Sequence, residues 1–209
     1  MREILPHVFH WKTFHEGIAA YVHSYYVNAG ATPFVIDPRV PAEGIEWFAQ
    51  HGAPRHAFLT NRHHYRHSDR FAARYGTEVW CQRDGLHEFV RGERVRGFRH
   101  GQALPGDVLA LEIGALCPEE TALHLPVGGG VLSVGDAIVR DARGRLVFVP
   151  DAFMGDDPEG VKRGVRSAYA RHLREREFDT LLFAHGAPLV GGARDALARF
   201  VAQEAVAFP

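Results

Sequence analysis

Three histidines cluster in Asn61-Arg62-His63-His64-Tyr65-Arg66-His67, directly after the apolar run Phe58-Leu59-Thr60. An imidazole is the commonest side-chain ligand for first-row transition ions, and a short apolar run that ends in polar residues is how a strand delivers side chains to a cleft. Two more runs end in the same way: Asp136 follows Leu132-Ser133-Val134-Gly135, and His185 follows Leu181-Leu182-Phe183-Ala184. His63, Asp136 and His185 therefore offer two imidazoles and a carboxylate, a donor set suited to zinc, iron or manganese. Three protein ligands with an open position mark a catalytic rather than a structural site. Each histidine alone reads more simply as a surface or hydrogen-bonded residue; the combination carries the expectation. His64 and His67 read either as solvated loop residues or as a replacement fourth ligand.

The elements that must position these groups are legible from pattern. Ile18 to Val27 and Pro33 to Ile36 are rich in β-branched and aromatic residues around the turn Asn28-Ala29-Gly30, which predicts an antiparallel pair. Pro41 to Gln50 predicts a helix, His56 to Thr60 a strand, and Asp69 to Tyr75 a helix with Ser68 as its cap and Gly76 as its stop. A strand at Glu78 to Cys81 completes the first half. The second half opens with short runs at Val108 to Ile113, Thr121 to Leu125, Val131 to Val134 and Leu146 to Val149, expected to form a meander with Gly128-Gly129-Gly130 as a hairpin turn. A long helix from Asp157-Pro158 to about Glu177, a strand at Thr180 to Phe183 and a helix at Ala193 to Ala205 follow. Strands followed by helices in each half predict two sheets packed face to face with helices outside. The expected layout is a single domain with two pseudo-symmetric halves, roughly 1–105 and 106–209.

These motifs and their order resemble the metallo-β-lactamase superfamily over nearly the whole chain, from Asp37 in Val35-Ile36-Asp37-Pro38 to His185. The resemblance implies a four-layer αββα sandwich and metal-dependent hydrolysis of an ester, thioester, lactone or phosphodiester. The family signature Thr-His-x-His-x-Asp-His, followed by a Gly-His-Thr turn, a later Asp and a late His, is matched at His63, Asp136 and His185, which it implies as metal ligands. Asp37 is implied as an anchor behind them. Asn61, Tyr65, Arg66 and Leu116 stand where the family has ligands, so the site reads as degenerate.

Those replacements have chemical consequences. Tyr65 offers a neutral phenol for an anionic acceptor, and Arg66 is a permanent cation. A guanidinium ~4 Å from a metal ion is repelled by several kcal/mol at an effective dielectric of ~20, so at most one ion is expected. Two arrangements stay open. In one, His63, Asp136 and His185 hold a single zinc, iron or manganese ion, with His64 or His67 shifting in, Asp136 taking a proton, and Tyr65 or Arg66 steadying the oxyanion. In the other no metal binds, Arg66 pairs with Asp136, and the chain is a pseudoenzyme or binding module that recognises a small anionic metabolite. Cys117, beside Leu116, is a further thiolate candidate, and Glu119-Glu120 read as a solvated pair or a source of a carboxylate for the cleft.

Composition narrows the partners. With 209 residues and 46% hydrophobic content the chain can bury a sizeable core, and a net charge of −1 argues against a general nucleic-acid binder. Arg91, Arg94, Arg96 and Arg99 form a local basic segment, but Asp84, Glu88 and Glu93 oppose it, which reads as a solvated surface or a lid. Asp151 to Asp157 reads as a second mobile loop beside the site. Cys81 and Cys117 are too few for a disulfide framework and suit a reducing cytoplasm. No apolar run reaches the ~20 residues of a membrane span. No Gly-x-Ser-x-Gly elbow supports a serine hydrolase. A small-molecule partner is expected, with oligomeric state, including a homo-oligomer, left open.

Overall fold

The structure, a computed structural model, describes residues 1–203. Its first sheet runs in chain order: β1 (Arg2–Leu5), β2 (Val8–His15), β3 (Ala20–Val27), β4 (Phe34–Ile36), β5 (His56–Phe58), β6 (Glu78–Gln82) and β7 (Val95–Phe98). β1 to β4 are joined antiparallel and β4 to β7 parallel. The parallel steps from β4 to β6 are bridged by α1 (Trp47–His51) and α2 (Ser68–Tyr75), as crossover connections require.

The second sheet contains β8 (Ala103–Leu104), β9 (Val108–Glu112), β10 (Thr121–Leu125), β11 (Val131–Val134), β14 (Thr180–Phe183) and β15 (Leu189–Val190), in the order β15-β14-β11-β10-β9-β8. β12 (Ile138–Arg140) and β13 (Leu146–Phe148) form a separate ribbon, so the run at Leu146 leaves the expected meander. α3 (Pro158–Glu175) and α4 (Ala193–Ala202) follow.

Strand alternation builds the layers. Tyr25, Val27, Phe34, Ile36 and Phe58 point inward against Val108, Leu123, Val131 and Leu182 of the second sheet. Their neighbours Tyr26, Val35, Ala57 and Leu59 point outward onto Phe48 of α1 and Phe71 of α2. Leu132, Val134, Leu181 and Phe183 likewise face Val165 and Tyr169 of α3 and Leu197 and Phe200 of α4. The period of two thus makes both sheets two-sided, and the result is the αββα sandwich.

Local chemistry explains the departures. The helix expected from Pro41 begins only at Trp47, because Gly44 at φ +84° turns the chain first. His67, not Ser68, takes the cap position of α2, and the Ser68 hydroxyl is buried without a partner. The basic segment is no lid, since Val95–Phe98 adds the edge strand β7 to the first sheet. Residues 204 and 205 of the last expected helix lie outside the described residues. No helix among the described residues is long and apolar enough to cross a membrane.

Candidate metal centre

The C-terminal ends of β4, β5, β11 and β14 meet at one edge of the sandwich. Backbone bonds lock them there: Thr121 N–H donates to Thr60 O (3.0 Å) and His23 N–H to Ala184 O (3.0 Å), each spanning the two sheets. The residue following each of these strands, or the second or third, carries the chemistry: Asp37, Thr60-Asn61, Asp136 and His185.

After β5 the chain enters a 3-10 turn over Arg62–Tyr65, capped by Asn61, whose side-chain oxygen accepts from His63 N–H at 2.9 Å. Successive residues of such a turn face directions about 120° apart, so the adjacent histidines part company. The His63 side chain is 55% exposed, with Nδ1 4.0 Å from Glu88 Oε1. His64 is 4% exposed and faces the site.

His64 is pinned from behind. Its Nδ1 lies 3.1 Å from Asp37 Oδ2 and 3.0 Å from Thr60 Oγ1, while Asp37 also accepts from Thr60 N–H (2.9 Å) and the Thr60 hydroxyl (2.6 Å). A proton on Nδ1 that serves Asp37 leaves Nε2 with its lone pair toward the cleft, the second-layer arrangement that orients a metal-binding imidazole. That Nε2 lies 3.0 Å from Asp136 Oδ1, and His185 Nε2 lies 3.1 Å from the same oxygen. One ligand atom from each of His64, Asp136 and His185 falls within 4.8 Å of the others.

These residues fit a transition ion. Asp136 Oδ1 is buried and has no donor with hydrogen-bond geometry, although two imidazole nitrogens stand beside it. With both imidazoles neutral and their Nε2 lone pairs turned to Asp136, three acceptor atoms face one another, an arrangement that a shared cation, or a proton on His64, relieves. The charges of the cluster also support one another against burial. Burial opposes charge on Asp136, but His64 and His185 outweigh it and hold the carboxyl well below its usual range. Burial likewise opposes charge on His64, and Asp136 and Asp37 overcome it, raising the imidazole to about 9.

The remaining sequence candidates lie elsewhere. The Arg66 guanidinium does not pair with Asp136; its Nη1 donates to the backbone oxygens of His23 and Asp37, both at 2.7 Å. A backbone at φ 47° swings the side chain behind the strand ends. Tyr65 packs on Phe89, with ring centroids 5.6 Å apart, and its phenol does not line the cleft. His67 Nδ1 accepts from Val40 N–H at 3.0 Å, a structural role outside the cluster. Cys117 borders the cleft, where its sulfur accepts from Asn61 Nδ2 at 3.3 Å and burial pushes the thiol up.

Glu119 and Glu120 are buried rather than solvated. Glu119 forms an ion pair with Arg62. Glu120 Oε1 accepts from Ala137 N–H at 2.6 Å, beside Asp136, and burial drives this carboxyl up to about 8. Nothing in Cys117-Pro118-Glu119-Glu120 marks that burial, because the local sequence reads as a polar turn.

His63, Asp136 and His185 all line a cleft of 700 Å³. Its other walls are largely apolar: Ile18 and Tyr21 from the β2–β3 hairpin, Leu116, Val139, Val149 and Phe153.

No family model matches the sequence, and no curated protein matches it. Solved structures do. TTHA1623, in a di-iron-bound form, superposes with a TM-score of 0.68 at 19% identity, covering 91% of this chain and 98% of its own. TTHA1429, a metallo-β-lactamase family protein from Thermus thermophilus, gives 0.67 at 15% identity over 96% and 80%. A metallo-β-lactamase from Cronobacter sakazakii with a HARLDQ motif gives 0.64 at 18% identity over 96% and 89%. Likeness at this identity speaks for architecture, and the architecture is unambiguous: this chain has the metallo-β-lactamase fold.

Proposed function

We propose that the protein is a metal-dependent hydrolase with a single ion held by His64, Asp136 and His185, acting on an ester, thioester or lactone with an apolar acyl part. The observation that carries this reading is the convergence of His64 Nε2, His185 Nε2 and Asp136 Oδ1, with His64 braced by Asp37. Zinc, iron or manganese suits the donors; the di-iron form of TTHA1623 is a precedent for first-row metal on this fold. One ion is favoured over two because the Asn61 side chain is engaged by His63 N–H and Cys117, Tyr65 packs on Phe89 away from the cleft, Leu116 has no ligand atom, and Arg66 adds a fixed positive charge nearby.

A bound ion would supply Lewis acidity toward a carbonyl and make a water easier to deprotonate. The chain's own residues do the rest. Asp136 would hold the ion together with His64 and His185, and its strongly anionic carboxylate would accept a hydrogen bond from the attacking water and orient it. His63, half in solvent at the cleft mouth, is placed to hand a proton to the leaving group. The apolar walls exclude water and hold the acyl chain. A phosphodiester is disfavoured, since the nearby guanidinium groups are already engaged: Arg62 by Glu119, Arg66 by two carbonyls, and Arg140 by the backbone oxygens of Gly144 and Pro188. The same engagement of Arg66 weakens the rival reading of a metal-free anion-binding module.

Elemental analysis of protein grown with zinc, manganese and iron should give about one equivalent of metal. Hydrolysis of p-nitrophenyl acyl esters should depend on that metal and fall at least ~100-fold in Asp136→Asn. Metal-free protein with no esterase activity after reloading would overturn the proposal.

A further inference from the structure

A second cavity, of 510 Å³, lies across the turn that carries His185: Ala187 and Pro188 line it, while His185 and Gly186 line the cleft. β2 contributes His10, Trp11 and Lys12, β3 contributes His23, and Arg2 of β1 and Glu43 also line it. His10 Nε2 and His23 Nδ1 stand 2.7 Å apart, in rings inclined by only 9°. His23 is 5% exposed.

This pair has a fixed hydrogen-bonding output. Two neutral imidazoles joined by one N–H···N bond share the donor and acceptor at the junction. Their outer nitrogens, His10 Nδ1 and His23 Nε2, must then be one donor and one acceptor, whichever tautomer holds. Neither makes a hydrogen bond among the described residues. A cation does not suit the cavity, because Arg2 and Lys12 face it and the acid, Glu43, is bound to the Met1 amino group. A partly protonated oxyanion does, since it presents an O–H to the acceptor and negative oxygens to the donor and to the two cations. Burial, with Arg2 and Lys12 adding to it, pushes His10 down to about 4, which keeps the unliganded pair neutral. The volume leaves room for an organic body attached to the anion.

We propose that this cavity is a second ligand site, for a phosphate monoester or similar small oxyanion, engaged by His10 and His23 with Lys12 and Arg2. It is separate from the metal centre: His23 contributes no atom to the cluster, and only its backbone reaches that side, through Ala184 and the Arg66 guanidinium.

The test is calorimetric titration of the intact, chelator-treated protein at neutral pH with inorganic phosphate, phenyl phosphate and acetate. Saturable binding of one equivalent of phosphate or phenyl phosphate is expected, weakened at least tenfold by His10→Gln and by Lys12→Gln and unchanged by Asp136→Asn. Lys12 is exposed, so its replacement leaves the fold intact and separates loss of binding from misfolding. Absence of saturable binding by either phosphate compound overturns the proposal, as does binding that survives Lys12→Gln and His10→Gln. Binding lost in Asp136→Asn instead would put the anion at the metal centre and also overturn it.

Discussion

The choice between His63 and His64 is made by a single turn of backbone. Asn61 caps the 3-10 turn and directs His63 outward, so His64 alone reaches both Asp37 and Asp136. In the proposed metal site His64→Ala should therefore lower bound metal below a tenth of an equivalent, whereas His63→Ala should retain it and lose activity only. Equal metal loss in the two variants would show that the outward ring is recruited on loading. Arg66 works at the same scale as a strut. Arg66→Ala strips charge-assisted bonds from two carbonyl oxygens and should cost about 2–4 kcal/mol of unfolding free energy. Added zinc should not restore that loss, since the guanidinium does not occupy the ion's place; rescue by zinc would contradict the geometry.

Between Cys117 and β10 the chain buries Glu120 under the segment that carries Asp136. A carboxyl with an ordinary value of 4.5, lifted to about 8 by burial, keeps its proton in the fold but loses it when unfolded. The folded state therefore binds more protons between those limits, so stability falls as pH rises. Its contribution is complete below about 4.5 and is lost as pH climbs toward 8. Glu120→Gln mimics the protonated acid and can still accept from Ala137 N–H. In chelated protein the melting temperature of the wild type should drop relative to this variant between pH 5 and pH 8. Parallel curves would mean that Glu120 is ionised throughout.

At the scale of the whole molecule, one side chain joins the sheets directly. The Tyr25 hydroxyl, from β3, donates to Phe183 O at 2.8 Å and accepts from Phe183 N–H at 3.0 Å in β14. Both groups are buried, and Phe183 lies two residues before His185. Tyr25→Phe leaves that amide and carbonyl without partners and should cost about 1–3 kcal/mol. In the proposed site it should also weaken metal affinity, because the strand end that aims His185 loses its tie to the first sheet. A stability loss with unchanged affinity would show that β11 alone fixes the position of His185.

Much of this architecture was written in the sequence. Short apolar runs such as Phe34-Val35-Ile36 and Leu181-Leu182-Phe183, bounded by turn residues and too short for helices, and Asp157-Pro158 before a long amphipathic stretch, indicate the strands, the layers and α3. Asp136 and His185 were legible as well, since each is the first strong polar group after an apolar strand. The pattern points to His63 as the ligand and to Arg66 beside Asp136, whereas the structure turns His64 inward, bends Arg66 back onto carbonyls and buries Glu119 and Glu120. Those outcomes depend on turn dihedrals and on partners that lie far away in the chain: Asp37 for His64, His23 for Arg66, Arg62 for Glu119 and Ala137 for Glu120. The length and apolar patterning of a segment are local properties that survive in one dimension, whereas the direction of a polar side chain is settled only when the sheets close and decide which groups keep water.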